Sequence, residues 1–150
     1  AAVFITYAAK YTKEDFKQIP SGVSKAETVQ LFDYINHQTQ PSDVFIFTKP
    51  RALALFTGRK SSYYPMSLGD KRLWDYFHTI NATYIVVGPP ELEPYDQTFL
   101  TNFVEKYEGS LQEVYSNADF KVYQIVGRPN PSGAVEYIRR RRTDPPPQKD

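Results

Sequence analysis

The chain has 150 residues, of which 41% are hydrophobic, 15% aromatic and 23% charged, proportions typical of one globular domain. The net charge of +1 is unevenly divided, because residues 1–127 carry −2 (12 basic, 14 acidic) and residues 128–150 carry +3 (6 basic, 3 acidic). A near-neutral body excludes a general nucleic-acid-binding protein, and its aromatic content excludes intrinsic disorder.

The composition also limits the chemistry of the chain. It has no cysteine, which excludes a disulfide framework, a thiolate metal site and a cysteine nucleophile. No run of 18 apolar residues occurs, so the sequence predicts no transmembrane helix. The chain begins with Ala1 and not with Met, which indicates either a processed product or an excised piece of a longer protein, and we expect the excised piece.

Apolar periodicity predicts alternating helices and strands. Helices are indicated by apolar residues at helical spacing, and they cover approximately residues 24–36, 52–56, 67–80 and 96–109. Strands are indicated by short apolar runs between turn residues, at 44–47, 61–64, 84–87, 111–116 and 120–126. The runs at 44–47 and 84–87 are continuous, as in strands buried on both faces.

Polar residues mark the predicted helix ends. Ser24 with Glu27, and Ser67 with Asp70, have the spacing of capping boxes. Asp96 is the predicted cap of the last helix. Gly58 is the predicted stop of the short second helix.

The resulting order, α-β-α-β-α-β-α-β-β, predicts an α/β fold. We expect a three-layer, Rossmann-like open sheet that is mostly parallel and carries a C-terminal antiparallel hairpin at its edge. The predicted organisation is an extended lead-in at residues 1–20, the α/β domain at 21–127 and a flexible Pro- and Arg-rich tail at 128–150.

Ligands of open parallel sheets usually lie beyond the carboxyl ends of the strands. One candidate segment there contains Lys49 and Arg51, at the start of a short helix, and a second is residues 88–91. Two cations beside a helix N-terminus are suited to an anion. Arg59 and Lys60 follow one short helix later and would add charge from the opposite rim. The alternative is that all four are solvated loop charges.

Two further features complete the predicted binding surface. Tyr63 and Tyr64 would point to opposite faces if the chain is extended, so one of them would be exposed near Lys60, and we include Tyr64 in the candidate set. The basic run from Arg139 to Arg142 is either a solvated tail or a contact for phosphate or anionic lipid head groups.

Sequence motifs for catalysis or cofactor binding are absent. The chain lacks GxGxxG, GxxxxGKS/T, GxSxG and HExxH, and both histidines, His37 and His78, lie near predicted helix ends. We therefore predict no catalytic residue, no metal and no cofactor.

Residues 43–60, with the sequence DVFIFTKPRALALFTGRK, carry a resemblance. This segment resembles the soluble C-terminal domain of bacterial polytopic glycosyltransferases, the family related to protein O-mannosyltransferases and aminoarabinose transferases. Residues 26–35 (AETVQLFDYI), 73–77 (LWDYF) and 84–88 (YIVVG) also fit, so the resemblance covers roughly residues 20–90.

The resemblance implies an accessory domain. In such enzymes a bundle of membrane helices binds a polyprenyl-phosphate-linked sugar, and an acidic residue in an early extracytoplasmic loop is the base. The soluble domain follows the last membrane helix and faces the periplasm, so residues 1–9 would lie just after that helix. No segment of this chain matches the bundle or the acidic loop, and no catalytic residue is carried over.

The leading hypothesis is therefore a non-catalytic periplasmic domain of a membrane glycosyltransferase that helps recognise the acceptor or the donor phosphate. Its expected partners are the membrane helices of the same parent protein, a lipid-linked sugar phosphate and anionic lipid head groups, with no nucleic acid. The alternative is a free-standing, non-catalytic α/β module that binds a small anion or a protein.

Overall fold

The computed structural model describes residues 22–65, 68–92, 94–129 and 135–137, in which helices and strands alternate. The helices are α1 (Ala26–Gln38), α2 (Pro50–Thr57), α3 (Asp70–Thr79) and α4 (Pro94–Lys106). The strands are β1 (Val44–Ile46), β2 (Lys60–Ser62), β3 (Tyr84–Val87), β4 (Leu111–Ser116), β5 (Lys121–Ile125), β6 (Gly127–Pro129) and β7 (Val135–Tyr137). A 3-10 turn, Glu108–Ser110, precedes β4.

Five strands form one sheet in the order β2-β1-β3-β5-β4. β1 is parallel to β2 and β3, whereas β5 is antiparallel to both β3 and β4. The predicted α/β class and the C-terminal hairpin are confirmed. Two of the four strand pairings are parallel and two are antiparallel, so the sheet is mixed, and β5, which lies between β3 and β4, runs against the other four strands.

The apolar strands divide the core into two clusters. Phe45 and Ile46 of β1 enter different clusters, and Phe47, which directly follows the strand, joins the cluster of Phe45, as expected for side chains that alternate across a sheet. The α1–α2 cluster consists of Leu31, Phe32, Ile35, Phe45, Phe47, Leu53, Tyr84, Val86, Phe120 and Val122. The α3–α4 cluster consists of Ile46, Tyr64, Leu73, Trp74, Phe77, Ile85, Leu100, Phe103, Val104, Leu111 and Ile125. The prediction that β1 and β3 are buried on both faces is confirmed.

The helix starts differ from those predicted. The N-cap of α1 is Lys25, whose side chain does not cap the helix, so the capping box of Ser24 does not form. Lys25 instead contacts Asp119 of the β4–β5 turn, with 2.5 Å between Nζ and Oδ2. α4 begins at Pro94, so Asp96 is its third residue and not its cap.

α2 stops at the residue predicted from the sequence, Gly58. Gly58 adopts φ = +65°, and its N–H donates to the carbonyl oxygen of Ala54 over 2.9 Å. This left-handed conformation costs little only for glycine, which explains why the helix ends there.

Paired strands continue past the predicted start of the tail. β6 begins at Gly127 and pairs antiparallel with β7, and Arg128 forms an ion pair with Asp75 of α3. The predicted lead-in at residues 1–20, the run from Arg139 to Arg142 and the predicted cap Ser67 lie outside the described residues. Within the described residues, no helix has both the length and the apolar character needed to cross a membrane.

Asp70 at the start of α3 is held by two residues near the end of α4. Lys106 Nζ lies 2.5 Å from Asp70 Oδ2, and the Tyr107 hydroxyl donates to the same oxygen over 2.9 Å. The hydrogen bond from Lys106, aided by that from Tyr107, holds the pKa of Asp70 below its ordinary value of 3.8. The resulting stabilisation is complete above that ordinary value and is lost as pH falls through the lowered pKa.

We therefore expect Asp70→Asn to reduce the free energy of unfolding at pH 7 by about 1 kcal/mol. The difference between variant and wild type should begin to shrink below about pH 4, because the carboxyl of the unfolded chain takes up a proton there, and it should vanish once the folded carboxyl is protonated at lower pH. Urea unfolding at pH 7 and at pH 3 measures both effects. Asp33→Asn, at an exposed position of α1, is the control. An Asp70→Asn loss that is equally large at both pH values would contradict the assignment.

Candidate functional site

The parallel strands β1 and β3 end side by side, at what we call the carboxyl edge of the sheet. Ile46 is paired with Ile85, and the chain continues from these strands into Lys49 and Gly88, respectively. The structure therefore brings the two segments chosen from the sequence to one edge, where open α/β sheets usually bind ligands.

Both basic residues predicted for this edge are exposed to solvent. Lys49 occupies the N-cap position of α2, but its side chain forms no capping hydrogen bond. Arg51 is the second residue of the helix. The first helical residue is Pro50, which has no N–H to satisfy. Two exposed cations at the positive end of a helix form a favourable environment for an anion.

The other two predicted cations do not join them. Lys60 is paired with Val44, the first residue of β1, so Arg59 and Lys60 lie at the opposite, amino edge of the sheet. Arg59 and Lys60 therefore do not add charge to the site at Lys49 and Arg51 from an opposite rim, as the sequence predicted. The physical reason is chain direction: Arg59 directly precedes a parallel strand, whereas Lys49 follows one.

Arg59 has a structural environment at that amino edge. Its Nη2 donates to the carbonyl oxygens of Asn36 (3.2 Å) and Thr39 (3.0 Å), and its Nη1 donates to that of Thr57 (3.2 Å). Its Nε donates to the Thr39 hydroxyl over 3.2 Å. The guanidinium thus satisfies carbonyl groups at the C-terminal ends of both α1 and α2, where a cation is favoured.

Tyr64 is a core residue and not a surface residue. Its side chain is 0% exposed, and its ring stacks on Tyr63 and Phe99 with centroid distances of 5.0 and 5.9 Å. Tyr63 is 40% exposed and is the member of the pair that reaches solvent. The choice of Tyr64 as a surface contact is therefore wrong.

A cleft of about 380 Å³ opens at the carboxyl edge, beside the segment that follows β3. Three parts of the chain form it: the loop after β3, the middle of α4 and the β4–β5 turn. The lining residues are Val87, Gly88, Pro89, Pro90, Thr101, Val104, Glu105, Asn117, Ala118, Asp119, Phe120, Lys121 and Tyr123. The volume is within the range of small-molecule sites.

Close packing at Gly88 brings two of these parts together. A Cβ at this position would lie 2.8 Å from Leu92 Cδ1 and 3.2 Å from Phe120 Cε1. Glycine avoids this crowding, since a methyl group would shift the end of the Leu92 side chain and press on a buried ring. The loop after β3 is thereby held against the hairpin turn.

Charged residues of the cleft are balanced by neighbours. Lys121 Nζ lies 3.4 Å from Glu113 Oε2. The neighbouring Tyr123, and to a smaller extent Glu113, raise the pKa of Lys121, which keeps it protonated at neutral pH. The hydrogen bond with Asp119 raises the pKa of Lys25, which keeps this lysine protonated beside the cleft. The cleft therefore offers a ligand fixed charges of both signs beside apolar walls.

Sequence reasoning found part of this cleft. Residues 88–91 were selected because they follow a buried strand, and Pro89 and Pro90 do line the cleft. Thr101 and Glu105 were missed, because spacing marks them only as the polar face of a helix. Across the described residues, no three His, Asp or Glu side chains are placed to hold a metal ion.

No protein-family model matches the chain, and no curated protein sequence is significantly similar to it.

Proposed function

We propose that this chain is an accessory extracytoplasmic domain of a membrane glycosyltransferase that uses a polyprenyl-phosphate-linked sugar. Its role is to help recognise the donor phosphate or the acceptor, and the transfer itself takes place on the membrane-helix portion of the parent protein. The proposal combines the resemblance of residues 43–60 with the position of that segment in the fold, where it forms β1, α2 and the start of β2.

The observation that carries the proposal is the exposure of Lys49 and Arg51 at the carboxyl edge of β1. A phosphate or pyrophosphate group would meet two cations and the positive end of a helix there. The cleft at the same edge of the sheet, with Lys121 and Glu105 among its lining residues, is large enough for one sugar-sized group. Arg59 and Tyr64 are not part of this proposed contact, because one is bonded to helix ends and the other is buried.

We also propose a three-layer, Rossmann-like arrangement for the domain. The two hydrophobic clusters support it, because the strand residues alternate between a cluster shared with α1 and α2 and a cluster shared with α3 and α4. In that arrangement the carboxyl edge is the natural ligand-binding side, in keeping with the placement of Lys49 and Gly88.

The proposal is tested in the full-length parent protein with the double substitution Lys49→Ala and Arg51→Ala. We expect kcat/KM for sugar transfer to fall by about tenfold or more, the usual effect of removing charge-assisted hydrogen bonds to phosphate. Lys71→Ala, which removes an exposed charge from α3, is the matched control and should retain near-wild-type transfer.

Two results would count against the proposal. Unchanged turnover and unchanged KM in the double variant would make Lys49 and Arg51 ordinary solvated charges. A reading frame that encodes no membrane helices upstream of Ala1 would favour the alternative, a free-standing module that binds a small anion or a protein.

A further inference from the structure

The outward face of α2 is unusually apolar for an exposed helix surface. Leu53 and Thr57 are buried against the domain, whereas Arg51 and Leu55, one turn apart on the other face, are exposed. Leu55 is 78% exposed and the adjacent Phe56 is 47% exposed. Because these two large apolar side chains are adjacent, they form one contiguous exposed patch, in contrast to the single exposed apolar residues that are normal on a protein surface.

The patch is held rigidly by α1. The ring of Phe56 stacks on Phe32 with 5.3 Å between centroids and 8° between planes. The Asn36 side chain donates to the Phe56 carbonyl oxygen over 3.4 Å. Val29, one turn before Phe32, is 44% exposed and extends the apolar surface onto α1. The exposed rings and methyl groups are thus presented by a fixed framework.

The segment of the chain that carries Leu55 and Phe56 has charges of a single sign, whereas the neighbouring α1 carries the exposed Asp33. Between Asp43 and Asp70 the chain has four basic residues, Lys49, Arg51, Arg59 and Lys60, and no acidic residue. Arg51 and Lys49 are exposed at the start of α2, on the helix that carries Leu55. An apolar patch flanked by cations is complementary to a surface with anionic groups above a hydrocarbon layer.

We propose that the outward face of α2 is a contact surface for an anionic lipid bilayer. Leu55 and Phe56 enter the boundary between head groups and acyl chains, and Arg51 and Lys49 lie at the level of the lipid phosphates. The inference rests on the proposed function in one respect, since attachment to membrane helices explains why the domain lies beside a bilayer.

A contact of this size is weak by itself, because it buries two or three side chains and uses two cations. Attachment to the membrane raises the local concentration of lipid around the domain, so a weak contact is sufficient to orient it. The same orientation brings the carboxyl edge, with Lys49, to the depth at which a lipid-linked phosphate lies.

The experiment measures binding of the 150-residue chain to vesicles of equimolar phosphatidylglycerol and phosphatidylcholine at low ionic strength. We expect Leu55→Glu to lower vesicle partitioning by about tenfold, because it removes an inserted apolar group and adds a repelled charge. Asn102→Glu is the matched control: it adds the same charge at an exposed position of α4, which packs in the other cluster, and it should bind like wild type.

A fluorescent label shows which part of the chain contacts the vesicles. The chain has no cysteine, so Leu55→Cys and Asn102→Cys can each be labelled with an environment-sensitive fluorophore at one site. The fluorescence of the label at position 55 should rise and shift to shorter wavelength with these vesicles. Vesicles of phosphatidylcholine alone, or inorganic phosphate at matched ionic strength, should leave it nearly unchanged.

Several outcomes would overturn the proposal. Equal vesicle binding by Leu55→Glu and Asn102→Glu would assign any binding to another part of the chain, such as the basic run at its C-terminal end. Concentration-dependent dimerisation that Leu55→Glu abolishes, without vesicle binding, would make the patch a contact between two copies. Because no readout involves sugar transfer, failure here is separate from failure of the Lys49 and Arg51 substitutions in the parent enzyme.

Discussion

Tyr64→Ala should reduce the free energy of unfolding by about 4 kcal/mol, as expected when a large aromatic side chain is removed from a closed core. The Tyr64 ring is fully buried and packs between Tyr63 and Phe99, within the cluster that joins α3 and α4 to the sheet. Alanine would leave a cavity whose walls are held by the sheet and by two helices, so little of the lost packing can be recovered.

The neighbouring Tyr63 provides the matched control for this substitution. Tyr63 is 40% exposed, so Tyr63→Ala should cost only about 1 kcal/mol, mainly through the lost stacking on Tyr64. Urea unfolding at pH 7, followed by far-UV circular dichroism, compares the two variants directly. Small and equal losses would contradict the buried position of Tyr64.

The misplacement of Tyr64 shows where sequence periodicity stops being informative. Side chains alternate across a sheet only within a strand, and β2 ends at Ser62. Beyond that residue the backbone leaves the sheet, and the rings of Tyr63 and Tyr64 lie on each other at 15° between planes instead of pointing apart. The alternation of side chains in a strand was thus applied to Tyr63 and Tyr64, the two residues that follow the end of the strand.

Elements whose identity depends on burial were predicted well. The continuous apolar runs gave β1 and β3, and the stripe of Leu73, Trp74 and Phe77 gave α3, because each must bury that surface to be stable. The start of α1 was not predictable in this way. It is held by Lys25 with Asp119, and by Asn117, whose side-chain amide donates to the Glu27 carbonyl over 2.8 Å, and these residues are distant in sequence.

The cleft depends on strand order, which local pattern does not determine. Its walls come from the loop after β3, from α4 and from the β4–β5 turn, and they meet because β5 lies next to β3. Val87 and Lys121, both lining residues, are paired across these two strands. A sequence can indicate that residues 88–91 lie at a carboxyl edge, but only the pairing of β3 with β5 supplies the opposite wall.

Arg59→Ala should also be strongly destabilising, by about 2 kcal/mol, although the residue is partly exposed. Its guanidinium donates four hydrogen bonds, to carbonyl oxygens of Asn36, Thr39 and Thr57 and to the Thr39 hydroxyl. These groups belong to the last turns of two helices or directly follow one, so alanine would remove both the donors and the favourable interaction of a cation with two helix C-termini. Thr39 is buried, and its oxygen atoms would lose a partner that water replaces only partly.

Two further variants separate this structural role from anion binding. Arg59→Lys keeps the charge but cannot reach several acceptors at once, so it should recover less than half of the lost stability. Lys60→Ala removes an adjacent exposed charge and should change the free energy of unfolding by less than about 0.5 kcal/mol. Urea unfolding of the three variants, with a titration of inorganic phosphate, gives both quantities. If Arg59→Ala instead left stability unchanged and weakened phosphate binding, the guanidinium would have to face solvent, and α1 and α2 would need another group at their C-terminal ends.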